Sequence, residues 1–202
     1  MTKPDGGDFV TRAGKKLDFA LSHFSLSPAG LVCLDVGCAE GGFTDCLLRH
    51  GAAKVYAVDV AYGSFDWRLR HDERVVLLER TNARYLDGDK IPEAVDLVTC
   101  DVSFISIKKI IPALLPLVRP GGQFVLLYKP QFELPRDQVG KNGIAKDPAY
   151  VADGLADMTA FLTAQGITIE GTAPSPLAGK KGNVEWLIVG RGLPHTSTPV
   201  LR

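Results

Sequence analysis

Short, continuously apolar runs that alternate with segments of helical spacing are the feature that most constrains the fold of this chain. Five such runs lie at 31–36, 54–60, 74–80, 94–104 and 122–130. Runs of this length and continuity are typical of strands that are buried on both faces of a parallel sheet, with helices as the crossovers. The pattern therefore predicts an α/β fold with a doubly wound, mainly parallel sheet.

The segments between and after these runs complete the predicted order of elements. Helices are expected at 9–24, 42–51, 107–122 and 148–166. The third of these helices contains Pro112 near its start, where proline is tolerated. A final pair of strands is expected at 166–175 and 182–191, with an antiparallel strand at the C-terminal end of the chain.

The length of 202 residues is typical of one domain with a sizeable core. We expect a single domain at 9–190, with flexible ends at 1–8 and 191–202. The Gly/Lys-rich segment 138–148 follows the fifth apolar run, at the sheet edge where ligands bind in such folds, and is a candidate lid.

Charge and composition exclude several classes of protein. Lys+Arg and Asp+Glu are both 23, so bulk charge supplies no attraction to phosphate, although a local basic patch remains open. The chain has no run of 18 apolar residues and no signal-peptide core at its start, which predicts a cytoplasmic protein. The four cysteines form no CxxC pair, so we expect buried thiols and no metal.

The turn after the first run, CLDVGCAEGG at 33–42, is rich in glycine. Glycine at this place permits a tight turn and a close approach of backbone to ligand. The turn departs from the dinucleotide pattern GxGxxG because Ala39 stands two places after Gly37, and no lysine follows as in a P-loop. Glu40 would also repel a pyrophosphate. The loop therefore disfavours a diphosphate ligand.

Three carboxylates, Asp35, Asp59 and Asp101, lie at or near the ends of predicted strands. A carboxylate at the end of the second strand is suited to the two ribose hydroxyls of a nucleoside. An acidic loop beside such a carboxylate favours a nucleoside with positive charge, and S-adenosylmethionine has this chemistry. Another nucleotide, or a turn without a ligand, stays open on these residues alone.

Four charged residues stand in otherwise apolar or packed contexts: Lys16, Asp101, Lys129 and Glu185. Methyl transfer to a hydroxyl needs a base for its proton, or a cation that steadies the developing alkoxide. Lys129 would take that part, and Lys16 would orient the hydroxyl. The two acids would hold the amines in place. The alternative is two ordinary ion pairs at the rim of the fold.

The remaining polar and aromatic candidates have structural interpretations. The histidines show no ligand spacing and are expected at the surface: His23, His50, His71 and His195. Trp67 and Trp186 are expected to be packing residues. A hydrolase is disfavoured because the sequence has no nucleophile-elbow context.

Several segments in combination resemble one known family. They are VTRAGKKL, the glycine loop with its following helix and strand, LERTNAR, DVSFIS, YKPQFE and GNVEWL. Together they are similar to the TlyA (haemolysin A) family of FtsJ-like ribose methyltransferases, over about residues 10–190. The resemblance implies a Rossmann-like class I fold and S-adenosylmethionine-dependent 2′-O-methylation of ribosomal RNA.

The resemblance also implies roles for individual residues. The family's Lys-Asp-Lys-Glu catalytic tetrad falls on Lys16, Asp101, Lys129 and Glu185. The implied cofactor-binding residues are Asp35, Gly37, Ala39, Gly41, Gly42, Phe43, Thr44, Asp59, Thr81, Asn82 and Asp101.

The sequence departs from the family pattern in three respects. Family members usually have an N-terminal RNA-binding appendage of ribosomal-protein type, which we expect this chain to lack. Glu40 stands where relatives tend to have a small hydroxyl residue, and Ala61 where glycine is usual. No tetrad position is changed.

RNA, either as ribosomal RNA or in ribosomal subunits, is the partner that this interpretation predicts, with no membrane and no DNA. The candidate basic contacts are Arg12, Lys15, Lys108, Lys109, Lys141, Lys146, Lys180 and Lys181. The ribose 2′-hydroxyl would distinguish RNA from DNA. A non-catalytic S-adenosylmethionine- or RNA-binding module that acts through a partner, and a methyltransferase for a small-molecule hydroxyl, are the alternatives. No segment has the character of a pore-forming helix.

Overall fold

The computed structural model describes residues 8–179 and 181–193, which form a seven-stranded sheet in the order β3-β2-β1-β4-β5-β7-β6. The strands are β1 Val32–Val36, β2 Lys54–Val58, β3 Val75–Leu78, β4 Val95–Cys100, β5 Val118–Tyr128, β6 Ile167–Pro174 and β7 Trp186–Gly192. Strands β1 to β5 pair in parallel, whereas β7 runs antiparallel to both β5 and β6. The predicted fold is confirmed.

Helices and single helical turns join the strands. They are α1 Gly14–His23, α2 Gly42–Arg49, α3 Trp67–Arg70, α4 Ile111–Leu114, α5 Pro130–Glu133 and α6 Pro148–Ala164. Short 3₁₀ turns lie at Ala83–Tyr85, Ile107–Lys109, Leu115–Leu117 and Arg136–Gln138.

Each face of the sheet carries its own hydrophobic core, because successive side chains of a strand point to opposite faces. On β1, Leu34 and Val36 belong to the core that α4 and α6 cover. Cys33 belongs to the other core, together with Leu17 of α1 and Leu47 of α2. Burial on both faces explains why the predicted strands read as continuous apolar runs.

The helix predicted at 107–122 is wrong as a single element. The structure has a 3₁₀ turn at Ile107–Lys109, the short helix α4, a second 3₁₀ turn at Leu115–Leu117 and then β5. Pro112 lies in the first turn of α4, and Pro116 has no N–H for a continuing helix. The two prolines thus divide the segment, and β5 begins at Val118, four residues before the predicted start at 122.

The predicted helix at 9–24 begins later, at Gly14. The preceding residues instead lie against α2: the Val10 N–H donates to Asp45 Oδ2 at 2.8 Å, and the Arg49 guanidinium lies 5.1 Å from the centre of the Phe9 ring. The residues before α1 therefore pack against α2 instead of extending α1.

The predictions for the two tryptophans have different outcomes. Trp186 packs against one of the two cores, as predicted. The prediction that Trp67 is a packing residue is wrong, because Trp67 lies on α3 with 70% of its surface exposed, in an edge-on pair with the His71 ring.

The ends of the chain fall largely outside the described residues. The predicted boundaries at 1–8, 9–190 and 191–202 stay predictions, and β7 extends to Gly192. No helix in residues 8–179 and 181–193 is both long enough and apolar enough to cross a membrane.

Candidate active site

A cavity of about 570 Å³ opens at the sheet edge where the parallel strands have their carboxyl ends, the usual ligand-binding edge of doubly wound folds. Its walls come from the start of α1, the loop after β1, the segments after β4 and β5, and the segment before β7. The charged residues of its lining are Arg12, Lys16, Glu40, Asp101, Lys129, Lys181 and Glu185. All four residues of the predicted tetrad therefore face one cavity.

The tetrad forms two ion pairs. Lys16 Nζ donates to Glu185 Oε2 at 2.5 Å, and Lys129 Nζ lies 2.5 Å from Asp101 Oδ1. The side chains of Lys16 and Glu185 are only 8% and 4% exposed, and those of Lys129 and Asp101 are 10% and 15% exposed. These are buried pairs at a cavity, which distinguishes them from the ordinary ion pairs at the rim that the sequence left open.

The second pair is not saturated with hydrogen bonds. Lys129 Nζ donates to Ser103 Oγ at 3.0 Å, whereas Asp101 Oδ1 is buried and accepts no aligned hydrogen bond within the described residues. The 2.5 Å contact to Lys129 is therefore an electrostatic contact without hydrogen-bond geometry. The Lys129 Nζ is thus held by one ion pair and by one hydrogen bond.

The Glu133 carboxylate holds the segments after β4 and β5 together. It accepts hydrogen bonds from Ser106 Oγ at 2.5 Å and from the Ile107 N–H at 2.8 Å. Burial raises the pKa of Glu133, and the two hydrogen bonds oppose that shift. Glu133 is the last residue of α5, and α5 begins directly after Lys129. The contact therefore ties the segment that carries Lys129 to the segment after β4, which carries Asp101.

Phe104 lies at the mouth of the cavity in a conformation that costs energy. Its φ of 64° is in the left-handed region, which is unfavourable for a bulky residue, and 91% of its surface is exposed. Its ring lies 5.1 Å from that of Phe132, which also lines the cavity. A strained and solvent-exposed aromatic ring at a cavity is a candidate binding surface for a flat ligand.

The glycine loop after β1 is shaped by close backbone contacts. Gly37 has a φ of 82°, and a Cβ at this position would lie 2.6 Å from the Asp101 carbonyl oxygen. The Gly37 and Cys38 N–H groups both donate to the Val58 carbonyl oxygen, at 2.9 and 3.1 Å. Only glycine fits at position 37, so the loop lies against the ends of both β2 and β4.

Asp35 supports this loop from below. Its carboxyl is fully buried and accepts hydrogen bonds from Thr44 Oγ1 at 2.7 Å and Thr99 Oγ1 at 2.9 Å. Burial is the main cause that raises its pKa from the ordinary 3.8 to about 7, and the charge of Asp101 adds to it, while the threonine hydrogen bonds act the opposite way. Asp35 and Thr44 thus tie β1, β4 and α2 together and do not line the cavity.

Asp59 also shapes the loop, from its outer side. Its carboxylate accepts the N–H groups of Ala39 and Ala61, each at 2.8 Å. The Thr81 N–H donates to the Asp59 carbonyl oxygen at 2.9 Å, which places the Thr81–Asn82 segment beside it. Asp59, Thr81 and Asn82 thus form one cluster at the carboxyl ends of β2 and β3, outside the lining of the cavity.

The structure divides the predicted cofactor-binding residues into two groups. Those that line the cavity are Gly37, Ala39, Gly42, Phe43 and Asp101. Those that lie beneath or beside the loop are Asp35, Gly41, Thr44, Asp59, Thr81 and Asn82. Direct contact of the second group with a cofactor stays a prediction.

The donor set fits a cationic nucleoside. The loop presents Glu40 and no lysine, and the Asp59 carboxylate is partly exposed beside it. Each Asp59 oxygen accepts one backbone N–H and keeps acceptor capacity for ribose hydroxyls. The chemistry of these residues thus matches S-adenosylmethionine better than a pyrophosphate.

The predicted basic contacts are distributed unevenly. Arg12 and Lys181 line the cavity. Lys15 and Lys108 pair with Asp8 and Asp157, and Lys146 donates to the Asp137 carbonyl oxygen. Lys109 and Lys141 are exposed, and Lys180 lies outside the described residues.

The prediction that the cysteines are buried is confirmed, since all four thiols are free and buried. His23 and His71 are exposed and His50 is half-buried, while His195 lies outside the described residues. His50 Nε2 lies 2.8 Å from Asp18 Oδ1, and the Cys46 thiol lies within 4.8 Å of both groups. Burial raises the pKa of Cys46 well above its ordinary value, so a neutral thiol packs beside this contact between α1 and α2.

The cavity residues that sequence reasoning missed include Ser103, Phe104, Gln131 and Phe132. Each of these four lies two or three residues after a member of the predicted tetrad, in DVSF or KPQF. Adjacency to Asp101 and Lys129 was the signal that could have found them, because the segments after the strands turn back along the ligand-binding edge.

The fold and the site together define a class of protein. The sheet order with its antiparallel β7, and the glycine loop after β1, are those of class I S-adenosylmethionine-dependent methyltransferases. NodS, an N-methyltransferase of Bradyrhizobium japonicum solved with S-adenosylhomocysteine, superposes with a TM-score of 0.62 at 18% identity, covering 88% of this chain and 86% of that one.

Within this class, the chain belongs to the family of FtsJ-like methyltransferases, whose model matches residues 9–192. It is 45% identical to YqxC of Bacillus subtilis over 181 residues, which are 89% of this chain and 64% of that protein. It is 44% identical to the 16S/23S rRNA (cytidine-2′-O)-methyltransferase TlyA of Mycobacterium tuberculosis over 180 residues, 89% of this chain and 67% of that protein. The chain thus spans about two thirds of the length of these relatives.

A solved structure of a protein named a hemolysin, from Streptococcus thermophilus, superposes with a TM-score of 0.90 at 39% identity. The match covers 98% of this chain and 73% of that one. The predicted family resemblance is confirmed. Family membership indicates S-adenosylmethionine as the cofactor, as predicted.

Proposed function

We propose that this chain transfers a methyl group from S-adenosylmethionine to a ribose 2′-hydroxyl of RNA, with ribosomal RNA as the substrate. One observation carries the proposal: two amines and two acids from four distant parts of the sequence line the cavity that the glycine loop also lines. A binding module would have no evident use for two buried Lys–carboxylate pairs at its ligand cavity, because burying such pairs costs desolvation energy.

The substrate is inferred from the relatives. The Mycobacterium tuberculosis relative is named for 2′-O-methylation of cytidine in 16S and 23S rRNA. A ribosomal substrate would also place the protein in the cytoplasm. Digestion of the methylated RNA to nucleosides would identify the acceptor nucleotide of this chain.

We assign to Lys129 the role of the group that acts on the acceptor oxygen of the ribose. In the reaction an O–C bond forms, the bond from sulfur to the methyl carbon breaks, and the hydroxyl proton leaves. Lys129 can serve as a neutral amine that takes this proton, or as a cation that stabilises the developing alkoxide. Asp101 and Ser103 hold its Nζ at the cavity.

Lys16 and Glu185 form the second half of the site. Their ion pair joins α1 to the segment before β7, and both residues line the cavity. We assign to Lys16 the orientation of the acceptor hydroxyl, which the contact of its Nζ with Glu185 supports. This role requires positioning alone and no proton transfer.

The glycine loop and the cluster beside it would hold the cofactor. Gly37, Ala39 and Gly42 provide backbone at the cavity wall, and Asp59 provides carboxylate oxygens for ribose hydroxyls. S-adenosylmethionine supplies, when bound, an electrophilic methyl group on a sulfonium. Phe43, only 3% exposed, gives the wall an apolar surface that excludes water.

The mouth of the cavity is suited to an unstacked nucleotide. Phe104 offers an exposed ring on which a base can stack, and Arg12 and Lys181 offer cations for the phosphates beside it. These groups provide the local positive charge that the overall balance of charge does not.

The proposal is tested by incubating the protein with S-adenosylmethionine labelled in its methyl group, and with total rRNA, separate ribosomal subunits, DNA of matched sequence or no polymer. The RNA is then digested to nucleosides. We expect label in 2′-O-methyl nucleosides of rRNA or a subunit and none in DNA. Cofactor binding without transfer to any of these would favour a non-catalytic module, and transfer without polymer would favour a small-molecule acceptor.

A further inference from the structure

Two segments that are distant in sequence form one wall of the cavity. The first is the loop at 138–146, which contributes Gly143, and the second is the segment at 181–185, which contributes Lys181 and Glu185. The loop has a compact shape of its own: the Gly140 N–H donates to the Ile144 carbonyl oxygen at 2.8 Å. What holds this loop against the second segment decides the shape of the wall.

The side chain of Asn183 connects the two segments. Its Oδ1 accepts the Ala145 N–H at 3.1 Å, and its Nδ2 donates to the Gly143 carbonyl oxygen at 2.7 Å. Within the described residues, these are the hydrogen bonds that join the loop at 138–146 to the segment at 181–185. Asn183 is only 4% exposed, so water does not compete for either bond.

The geometry requires an amide at this position. An amide has both the acceptor for Ala145 and the donor for Gly143. Aspartate, of nearly the same shape, would keep the acceptor but turn a carboxylate oxygen toward the Gly143 carbonyl oxygen. Asn183 also lies two residues before Glu185, so the same contact that fixes the loop fixes the chain that carries a tetrad residue.

A second contact, between Gly143 and Lys181, joins the same two segments. Gly143 has a φ of 80°, and a Cβ there would lie 3.1 Å from Cδ and 3.2 Å from Nζ of Lys181. The Lys181 side chain thus lies across the loop backbone, and both residues face the cavity. Release of the loop would therefore move a cation at the cavity mouth as well.

We propose that Asn183 is a positioning residue that holds the loop at 138–146 as the acceptor-side wall of the site. The inference rests on the proposed function for its kinetic consequences. The glycine loop at 37–42 shares no hydrogen bond with the loop at 138–146 within the described part of the chain. Loss of the Asn183 contacts is therefore expected to change the handling of RNA and to leave cofactor binding as it is.

The test compares Asn183→Asp and Asn183→Ala with the parent protein and with Asn142→Ala. Asn142 is a matched control, because it is an exposed asparagine of the same loop whose Oδ1 accepts only the local Ile144 N–H in the described structure. The measurements are kcat and KM for methyl transfer to the RNA, the Kd of S-adenosylhomocysteine, and the rate of tryptic cleavage after Lys141 and Lys146.

For both Asn183 variants we expect kcat/KM for the RNA to fall about tenfold or more, mainly through KM, because the wall no longer holds the acceptor in place. Cleavage after Lys141 is expected to accelerate in parallel. The Kd of S-adenosylhomocysteine, and all values for Asn142→Ala, are expected to stay within about twofold of the parent.

Two outcomes would overturn the inference. In the first, Asn183→Asp keeps the parent kcat/KM and the parent rate of cleavage. In the second, cofactor affinity falls together with transfer, which would indicate a general loss of structure. If the parent protein methylates no RNA, the proposed function fails. The role of Asn183 is still tested in that case, because a cleavage rate in Asn183→Asp equal to that of the parent would show that its hydrogen bonds do not restrain the loop.

Discussion

Lys16 and Glu185, 169 residues apart in the sequence, form a buried ion pair with Nζ 2.5 Å from Oε2. The pair joins the first helix of the described chain to the segment before its last strand. It therefore connects the stability of the fold with the geometry of the cavity, and the two contributions can be measured separately.

Removal of one partner of this pair is expected to destabilise the protein. Lys16→Ala leaves the Glu185 carboxylate buried and unpaired, which costs about 3–5 kcal/mol. The double variant Lys16→Met/Glu185→Leu replaces both charges with apolar groups and is expected to regain most of that loss without regaining methyl transfer. Urea unfolding gives the free energies, and equal losses in the single and double variants would contradict a buried pair.

Asp35 is expected to make stability depend on pH. Its pKa in the folded protein is about 7, above the ordinary 3.8, so the folded state holds the proton more tightly than the unfolded state does. Its stabilising contribution is thus complete below the unfolded value and is lost as the pH rises toward 7. Asp35→Asn should remove this part of the dependence, as measured by urea unfolding between about pH 4 and pH 8. Parallel pH profiles for variant and parent would refute it.

Gly37→Ala is expected to weaken cofactor binding. The new Cβ would lie 2.6 Å from the Asp101 carbonyl oxygen, so the loop must move away from the end of β4. Gly30→Ala is the matched control, because Gly30 has a similar φ of 75° and a Cβ there would meet nothing within 4 Å. We expect the Kd of S-adenosylhomocysteine to rise about tenfold or more for Gly37→Ala, as a displaced loop loses its contacts.

The control separates backbone strain from displacement of the loop. Both substitutions place a side chain in the left-handed region, at a cost of about 1–2 kcal/mol. Only Gly37→Ala should change the Kd. A similar rise in Gly30→Ala would mean that strain alone accounts for the effect.

Phe104 is expected to contribute to RNA affinity and little to stability. Phe104→Ala removes the exposed ring, and base stacking on an aromatic side chain is worth about 1–3 kcal/mol. The KM for RNA should therefore rise about tenfold, while Phe104→Trp keeps the parent value. Unchanged KM in Phe104→Ala would exclude this ring as a stacking surface.

The strands of this fold could be predicted from sequence because they are buried on both faces and read as apolar runs. The helix at 107–122 could not, because the apolar spacing that favours a helix competes there with Pro112 and Pro116. The sequence pattern alone does not show whether the apolar spacing or the two prolines decide the structure of this segment.

That the four residues of the predicted tetrad lie at one cavity could be expected, because charged side chains in apolar segments require a reason. Their pairing was not predictable, since Lys16 meets Glu185 only through the antiparallel register of β7 on β5. The positions of Asp35 and Asp59 show the same limit of local pattern: both follow or end apolar runs, yet one is sealed beneath the loop and the other holds it from outside. The position of Phe104 near the cavity could have been inferred from its adjacency to Asp101, but its strained backbone could not, because the strain arises from the turn after β4.

Methyl transfer to rRNA by Lys129→Ala, measured together with the affinity of this variant for S-adenosylmethionine, is the decisive experiment. Loss of the amine should lower the rate of transfer about 10²–10⁴-fold, and Lys129→Arg, which keeps the cation but not a base, separates the two possible roles. We predict this fall with a Kd for the cofactor close to that of the parent. An unchanged rate of ribose methylation in Lys129→Ala would contradict the role assigned to this amine.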